Sequence, residues 1–357
     1  MKKLISINKL VDSTRRLTSI LALCSVPIIG SAAEPITVVG FGGSLQDAFH
    51  SAYFEPFSEQ YKVDVIEDSY TGGFAKQKAM VKTGNITWDL VQMDENEMIA
   101  ACDQGILEPI RKQELLLADE LNPSAFSRCG VGAFVWSMVS TYSPEKFGND
   151  GPKNWKEFWD VEKWPGKRGL RKQPRMTLEI ALLADGVASD DLYKVLATPE
   201  GKDRAFAKLN ELKEHIIWWE SGAQPLEWLR GGIVTATSAY NGRISVANQE
   251  GSQYPIGWDG QLYSMDYWTI VKGTKNIDRA YQLLDFMMKP EQQKLFAENI
   301  PYGLTNRKAN QILPNALLSI LPTAPANQKN ALLLDSYFWL DHEEDLQQRF
   351  TSWVSQN

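Results

Sequence analysis

Ile36-Thr37-Val38-Val39-Gly40-Phe41-Gly42-Gly43-Ser44 opens a stretch that closes at Trp88-Asp89-Leu90-Val91, and the patterns between these two runs decide the fold. The first run is rich in β-formers and stops at a Gly-Gly turn. Ser44 stands where a helix N-cap belongs, and Phe49, Tyr53, Phe57 and Tyr61 then recur at helical spacing over 46–61. Val63-Asp64-Val65-Ile66 reads as a second strand, 75–81 as a second helix and 88–91 as a third strand. A β-α-β-α-β order implies a parallel sheet wrapped by helices. Ligands of such sheets sit outside the carboxyl ends of the strands. Here those ends are 42–44, 68–72 and 93–96.

Further along, the apolar run 134–140 leads to Pro144 and is long enough to cross from one lobe to another. Residues 154–184 carry Trp155, Trp159, Trp164 and a Pro-Gly at 165–166, and end in an apolar helix after Arg175. A helix at 205–212 and strands at 216–219 and 233–240 follow, the last stopped by Asn241-Gly242. The strand 265–271 re-crosses to the first lobe. Amphipathic helices at 278–288 and 292–300 pack there, and 316–353 reads as helical. The expected division is residues 35–138 plus 267–310 for lobe I and 139–266 plus 311–357 for lobe II. A length of 357 residues suits two such lobes.

Upstream of the deciding stretch, Lys2, Lys3, Lys9, Arg15 and Arg16 precede the apolar run 17–30 and the small residues Ser31-Ala32-Ala33. This is the layout of a cleaved secretory signal peptide over 1–33. The run is too short to span a bilayer. Cys24 sits in a poor lipoprotein box, because Leu23 is large where a small residue is expected. The whole chain has 37 Lys+Arg against 44 Asp+Glu, a net charge of −7, and loss of the leader makes the remainder more acidic still. That balance disfavours nucleic acid as a partner. Cys102 and Cys129 then remain as a lone pair, and export favours a disulfide between them.

Chemistry-bearing motifs are few. The three histidines, His50, His215 and His342, have no metal-ligand spacing, and there is no phosphate loop, nucleophile elbow or zinc-protease motif. No cofactor and no metal site are expected. Asp94, Glu95 and Glu97 follow the third strand, and Asp266 lies at the second crossing. With 12 Trp and 12 Tyr the chain is aromatic-rich, and Trp219, Tyr240, Tyr263, Trp268 and Tyr302 fall near strand ends or turns. Aromatic walls with carboxylates bind organic cations. Trp155, Trp159 and Trp228 read as core.

Asp89-Leu90-Val91, Gly105-Ile106-Leu107-Glu108-Pro109-Ile110, Tyr240-Asn241-Gly242, Met265-Asp266 and Pro301-Tyr302-Gly303-Leu304-Thr305-Asn306 occur in an order that resembles one family. This is the bacterial extracellular solute-binding proteins of ABC importers, in the spermidine/putrescine-binding branch. The resemblance implies an α/β type II periplasmic-binding-protein fold, two lobes joined by hinge strands. It implies a monomer in the periplasm that delivers a small solute to an inner-membrane permease, without catalysis. Position by position it implies ligand contacts at Tyr240, Asp266 and Tyr302, with Asp94 and Glu95 in place of small polar residues. Ser44, Arg175 and Trp219 complete the expected site. The second lobe departs from the branch: its two amine-gripping acids fall near Gln173 and Met176, with Arg175 between them. Ser264 replaces a tryptophan. The expected solute is a polyamine or a related nitrogenous solute; because Arg175 would repel an ammonium, an opine-like, amino-acid-like or anionic one is the alternative. A secreted hydrolase working through carboxylates in the cleft is the rival of another class.

Overall fold

The computed structural model describes residues 34–356; the expected cleavage site and Cys24 lie outside the described residues. Nine strands form one sheet among them: β1 (Ile36–Gly40), β2 (Val65–Ser69), β3 (Leu90–Asp94), β4 (Val131–Tyr142), β5 (Arg168–Arg171), β6 (Ile216–Trp219), β7 (Ala236–Tyr240), β8 (Gly257–Ile270) and β9 (Leu332–Leu333). Their order is β2-β1-β3-β8-β4-β7-β5-β6, with β9 beside β8. β2, β1 and β3 are mutually parallel, and so are β7, β5 and β6. The two parallel triplets are joined through β8 and β4, which pair antiparallel with each other and with their neighbours β3 and β7.

β4 has 12 residues and β8 has 14. At ~3.4 Å per residue each is ~40–48 Å long, enough to serve both halves of the sheet. Every residue of β4 is buried, as its apolar sequence requires. The largest core cluster runs through both halves, from Ile36 to Trp353.

The first turn shows why local chemistry positions the site. Gly42 and Gly43 adopt φ of 70° and 63°, a region that suits glycine. Gly43 is the residue that caps the following helix, and no side chain caps it. Ser44 therefore lies inside the first turn instead of capping it. The helical run continues as Ser44–Phe49, a π-turn at His50–Phe54 and Glu55–Tyr61. Phe49 packs 4.9 Å from Trp268 and 5.3 Å from Phe296 between ring centroids, which makes Trp268 a core residue.

Several other boundaries differ from expectation. β2 begins two residues later than expected and is largely exposed as an edge strand. β8 begins at Gly257, well before 265, and β7 begins at Ala236. β5 was not anticipated. The stretch 316–353 is helical only at Asn315–Leu318 and Ser336–Val354, with turns and β9 between. Trp155 and Trp159 are buried, and Trp228 packs at the core's edge. Cys102 and Cys129 form a disulfide with Cα atoms 5.8 Å apart. No helix among the described residues is long and apolar enough to cross a membrane.

Candidate ligand-binding cleft

A cavity of about 630 Å³ opens where the carboxyl ends of β1, β3 and β7 meet the middle of β4 and β8. Its acidic end is built by register. Asp94, last in β3, lies directly opposite Asp266 in β8. Asp266 is 3% exposed. Its carboxylate accepts from Gln92 Nε2 at 2.5 Å and from Trp136 Nε1 at 2.6 Å, and no cation pairs with it among the described residues. Burial, followed by the charge of Asp94, pushes Asp266 well above the usual carboxylate range. Asp94 faces the Arg175 Nη1 at 3.4 Å. Glu97 comes from the helix Glu95–Asp103. One of its oxygens accepts the Gly73 N–H at 2.9 Å, and the other is buried without a partner. Burial, again with the charge of Asp94, raises Glu97 to about 7.

The opposite end is basic. Arg171, at the end of β5, donates to the Tyr240 hydroxyl at 2.6 Å and lies 5.6 Å from the Trp219 ring centroid. Arg243, from the helix Asn241–Gln249, donates to the Gly42 carbonyl at 3.3 Å. A Cβ on Gly43 would stand 2.7 Å from Arg243 Nη1, so glycine is needed there for close approach as well as for its φ. Lys172 also lines this end but is paired with Glu220 at 2.9 Å.

Aromatic rings connect the two ends. Trp136 and Tyr240 meet edge-on at 5.4 Å, and Tyr240 meets Trp219 edge-on at 6.1 Å. Phe41 stacks on Tyr70 at 5.0 Å and Tyr302 on Phe134 at 4.8 Å. Separated charges of opposite sign with rings between them suit a small solute that is itself bipolar or cationic. None of the three histidines lines the cavity. No group of His, Cys, Asp or Glu among the described residues is arranged to hold a metal ion.

Of the expected site residues, Asp94, Trp219, Tyr240, Asp266 and Tyr302 line this cavity together. Arg175 is buried beside it against Asp94. Glu95 is engaged elsewhere, accepting from Ser336 Oγ at 2.9 Å and from the Tyr267 hydroxyl at 3.4 Å. Ser44 is replaced on the wall by Phe41 and Leu45, because the helix starts one residue earlier than expected. Glu97 was noted only as an acid after the third strand, and Trp136, Arg171 and Arg243 were missed. Asp94-x-x-Glu97 at a helix start puts both acids on one side, and Trp136 alternates with Phe134 along β4, so those two carried a signal. Arg171 and Arg243 carried none.

Residues 52–320 match the family of bacterial extracellular solute-binding proteins. The chain is 45% identical over 337 residues to a gamma-aminobutyric acid-binding protein of Pseudomonas aeruginosa, covering 94% of this chain and 96% of that one. It is 24% identical over 271 residues to the spermidine/putrescine-binding periplasmic protein of Escherichia coli, covering 72% and 75%. An ABC transporter substrate-binding protein from Bradyrhizobium japonicum superposes with a TM-score of 0.83 at 33% identity, covering 90% of this chain and 99% of that one. A GABA receptor superposes with 0.79 at 28%, covering 90% and 98%. Proteins of this kind work with a small-molecule solute and a membrane permease, and they are not enzymes. The chain belongs to the bacterial extracellular solute-binding proteins, with their two-lobed α/β fold, and is an ABC-transporter substrate-binding protein.

Proposed function

We propose that this protein binds a short, unbranched zwitterion of the γ-aminobutyrate type in the cleft and presents it to an inner-membrane permease. The observation that carries this reading is the polarity of the cavity, with Asp94, Asp266 and Glu97 at one end and Arg171 and Arg243 at the other. In the proposed pose an ammonium meets Asp266, whose desolvated charge needs a cation, and its neighbour Asp94. A carboxylate meets the two guanidiniums, which are suited to bidentate pairing. The methylenes lie against Tyr240 and Trp136. A polyamine lacks the anionic group that would satisfy Arg171 and Arg243, so the amino-acid-like solute is favoured over the polyamine. The GABA binding printed for the 45%-identical relative supports the same reading.

The protein acts, on this reading, as a periplasmic monomer freed of residues 1–33. Its lobes divide at 35–138 plus 267–310 and 139–266 plus 311–357, with β4 and β8 as the crossings. A thermal-shift panel of GABA, putrescine, spermidine and an opine tests the solute. A ligand present at 100 times its Kd stabilises by ~2.7 kcal/mol. GABA is expected to give that shift, and a shift with spermidine but not GABA would refute the reading.

A further inference from the structure

Between β2 and the helix Ala75–Thr83 the chain passes the acidic end of the cleft as Tyr70-Thr71-Gly72-Gly73-Phe74, and Tyr70, Thr71 and Gly72 line the cavity. Both flanks are fastened. Tyr70 donates its N–H to the Gly40 carbonyl at 3.1 Å and its hydroxyl to the Gln92 carbonyl at 2.5 Å, and its ring stacks on Phe41. The Phe74 carbonyl accepts from the Lys78 N–H at 2.9 Å. Thr71 and Gly73, between these anchors, are exposed. Gly72 and Gly73 have φ of 100° and 76°, and holding glycine in one conformation costs more backbone entropy than holding any other residue. Among the described residues, 71–73 make one hydrogen bond: the Gly73 N–H donates to Glu97 Oε1 at 2.9 Å. The same oxygen would stand 3.1 Å from a Cβ on Gly72, so the turn is folded directly onto this carboxyl group.

We infer that Glu97 is a positioning residue that fastens the 71–73 turn over the acidic end of the cleft and couples that fastening to the amino group of the solute. Glu97 lines the cavity together with Gly72, Asp94 and Asp266. Its Oε1 is committed to the turn, and its buried Oε2 accepts from no described residue. The charged groups around it are Asp94 and Glu343, which oppose its ionisation, and Arg175, which favours it. With burial added, the balance point lies at about 7, so both charge states are populated at neutral pH. An ammonium placed beside Glu97 favours the charged form. An N–H bond to a carboxylate is roughly twice as strong as one to a neutral acceptor. Solute binding therefore tightens the turn, and a tightened turn closes the wall of the cleft around the amino end. The coupling to an amino group rests on the zwitterion reading; the fastening of the turn by Glu97 does not.

Amide exchange in the full protein, followed by NMR with and without saturating GABA, tests it. In the empty protein Glu97→Ala should speed exchange at Gly73 by at least ~10-fold while the Tyr70 and Lys78 amides change by less than about twofold. Glu97→Gln keeps an acceptor and should stay within about threefold of wild type at Gly73. The Gly73 amide proton of empty wild type should move downfield as pH rises through about 7 and should not do so in Glu97→Gln. GABA should slow Gly73 exchange a further ~5-fold or more in wild type and by less than about half that factor in Glu97→Gln. A general structural role would speed exchange at Tyr70 and Lys78 along with Gly73 in Glu97→Ala, and that result would overturn the inference. So would wild-type exchange at Gly73 in Glu97→Ala, or an equal gain from GABA in wild type and Glu97→Gln. If wild type binds no GABA, the zwitterion reading falls, while the exchange and pH response of the empty protein still decide the role of Glu97.

Discussion

Asp266 has a carboxylate with two donors and no cation. In the empty protein its charge is unfavourable, because burial and Asp94 both oppose ionisation. Replacing it by Asn removes that conflict and keeps the shape. Asp266→Asn is therefore expected to melt no earlier than wild type while losing roughly 2–5 kcal/mol of solute affinity, as when one partner of a buried charge pair is removed. Binding like wild type with earlier melting would make Asp266 a structural residue. Glu97 makes the same physics visible through pH. Its folded-state pKa of about 7 lies above the ordinary 4.5, so the native state holds a proton that the unfolded chain has released. Stability of the empty protein should then fall as pH rises from about 4.5 to 7. An ammonium favours the ionised carboxylate, so affinity for GABA should rise over the upper part of the same interval. Glu97→Gln should flatten both profiles; unchanged pH dependence in that variant would contradict the assignment.

At the scale of elements, the helix Glu95–Asp103 carries Glu97 at its start and Cys102 at its end. The disulfide ties that end to the segment entering β4. A loop of this length is worth ~3 kcal/mol or slightly more through the unfolded state. Cys102→Ser with Cys129→Ser should lose about that much in a denaturant titration, and peptide mapping of unreduced protein should recover the two cysteines linked. Free thiols at both positions would contradict it. The pattern of elements explains what the chain disclosed on its own. β1, β3 and β6 are mostly apolar, β-branched or aromatic, so they were legible, and with β3 the strand end that places Asp94 at the cleft; the end of β7, marked by Asn241-Gly242, did the same for Tyr240. β5 reads Arg-Gly-Leu-Arg and looks like surface. Its Arg168 is fully buried because the carbonyls of Phe158, Trp164 and Gly166 accept from it, a set of partners that only the folded chain assembles. The early part of β8 alternates polar and apolar residues and pairs with β4, so its start was hidden. Arg171 and Arg243 escaped notice for a related reason. Each is an ordinary surface-type residue until β5 and the helix after β7 bring them beside the same aromatic wall.

For the whole molecule, function requires the two halves to part and close around a solute. Polar contacts between the proposed halves include Arg175 with Asp94, Arg243 with the Gly42 carbonyl, and Ser336 with Glu95. A solute that bridges Asp94 and Arg171 adds to them and shifts the population toward the closed form by its differential affinity. Small-angle scattering should show a smaller radius of gyration with GABA than without it, and no change would argue that the halves do not move. The account as a whole depends on what the cleft holds. Isothermal titration of the full protein with GABA and with spermidine at neutral pH measures this directly. GABA is expected to bind at least ~100-fold more tightly, because only it offers an ammonium to the acids and a carboxylate to Arg171 and Arg243. Spermidine binding more tightly than GABA would contradict the account.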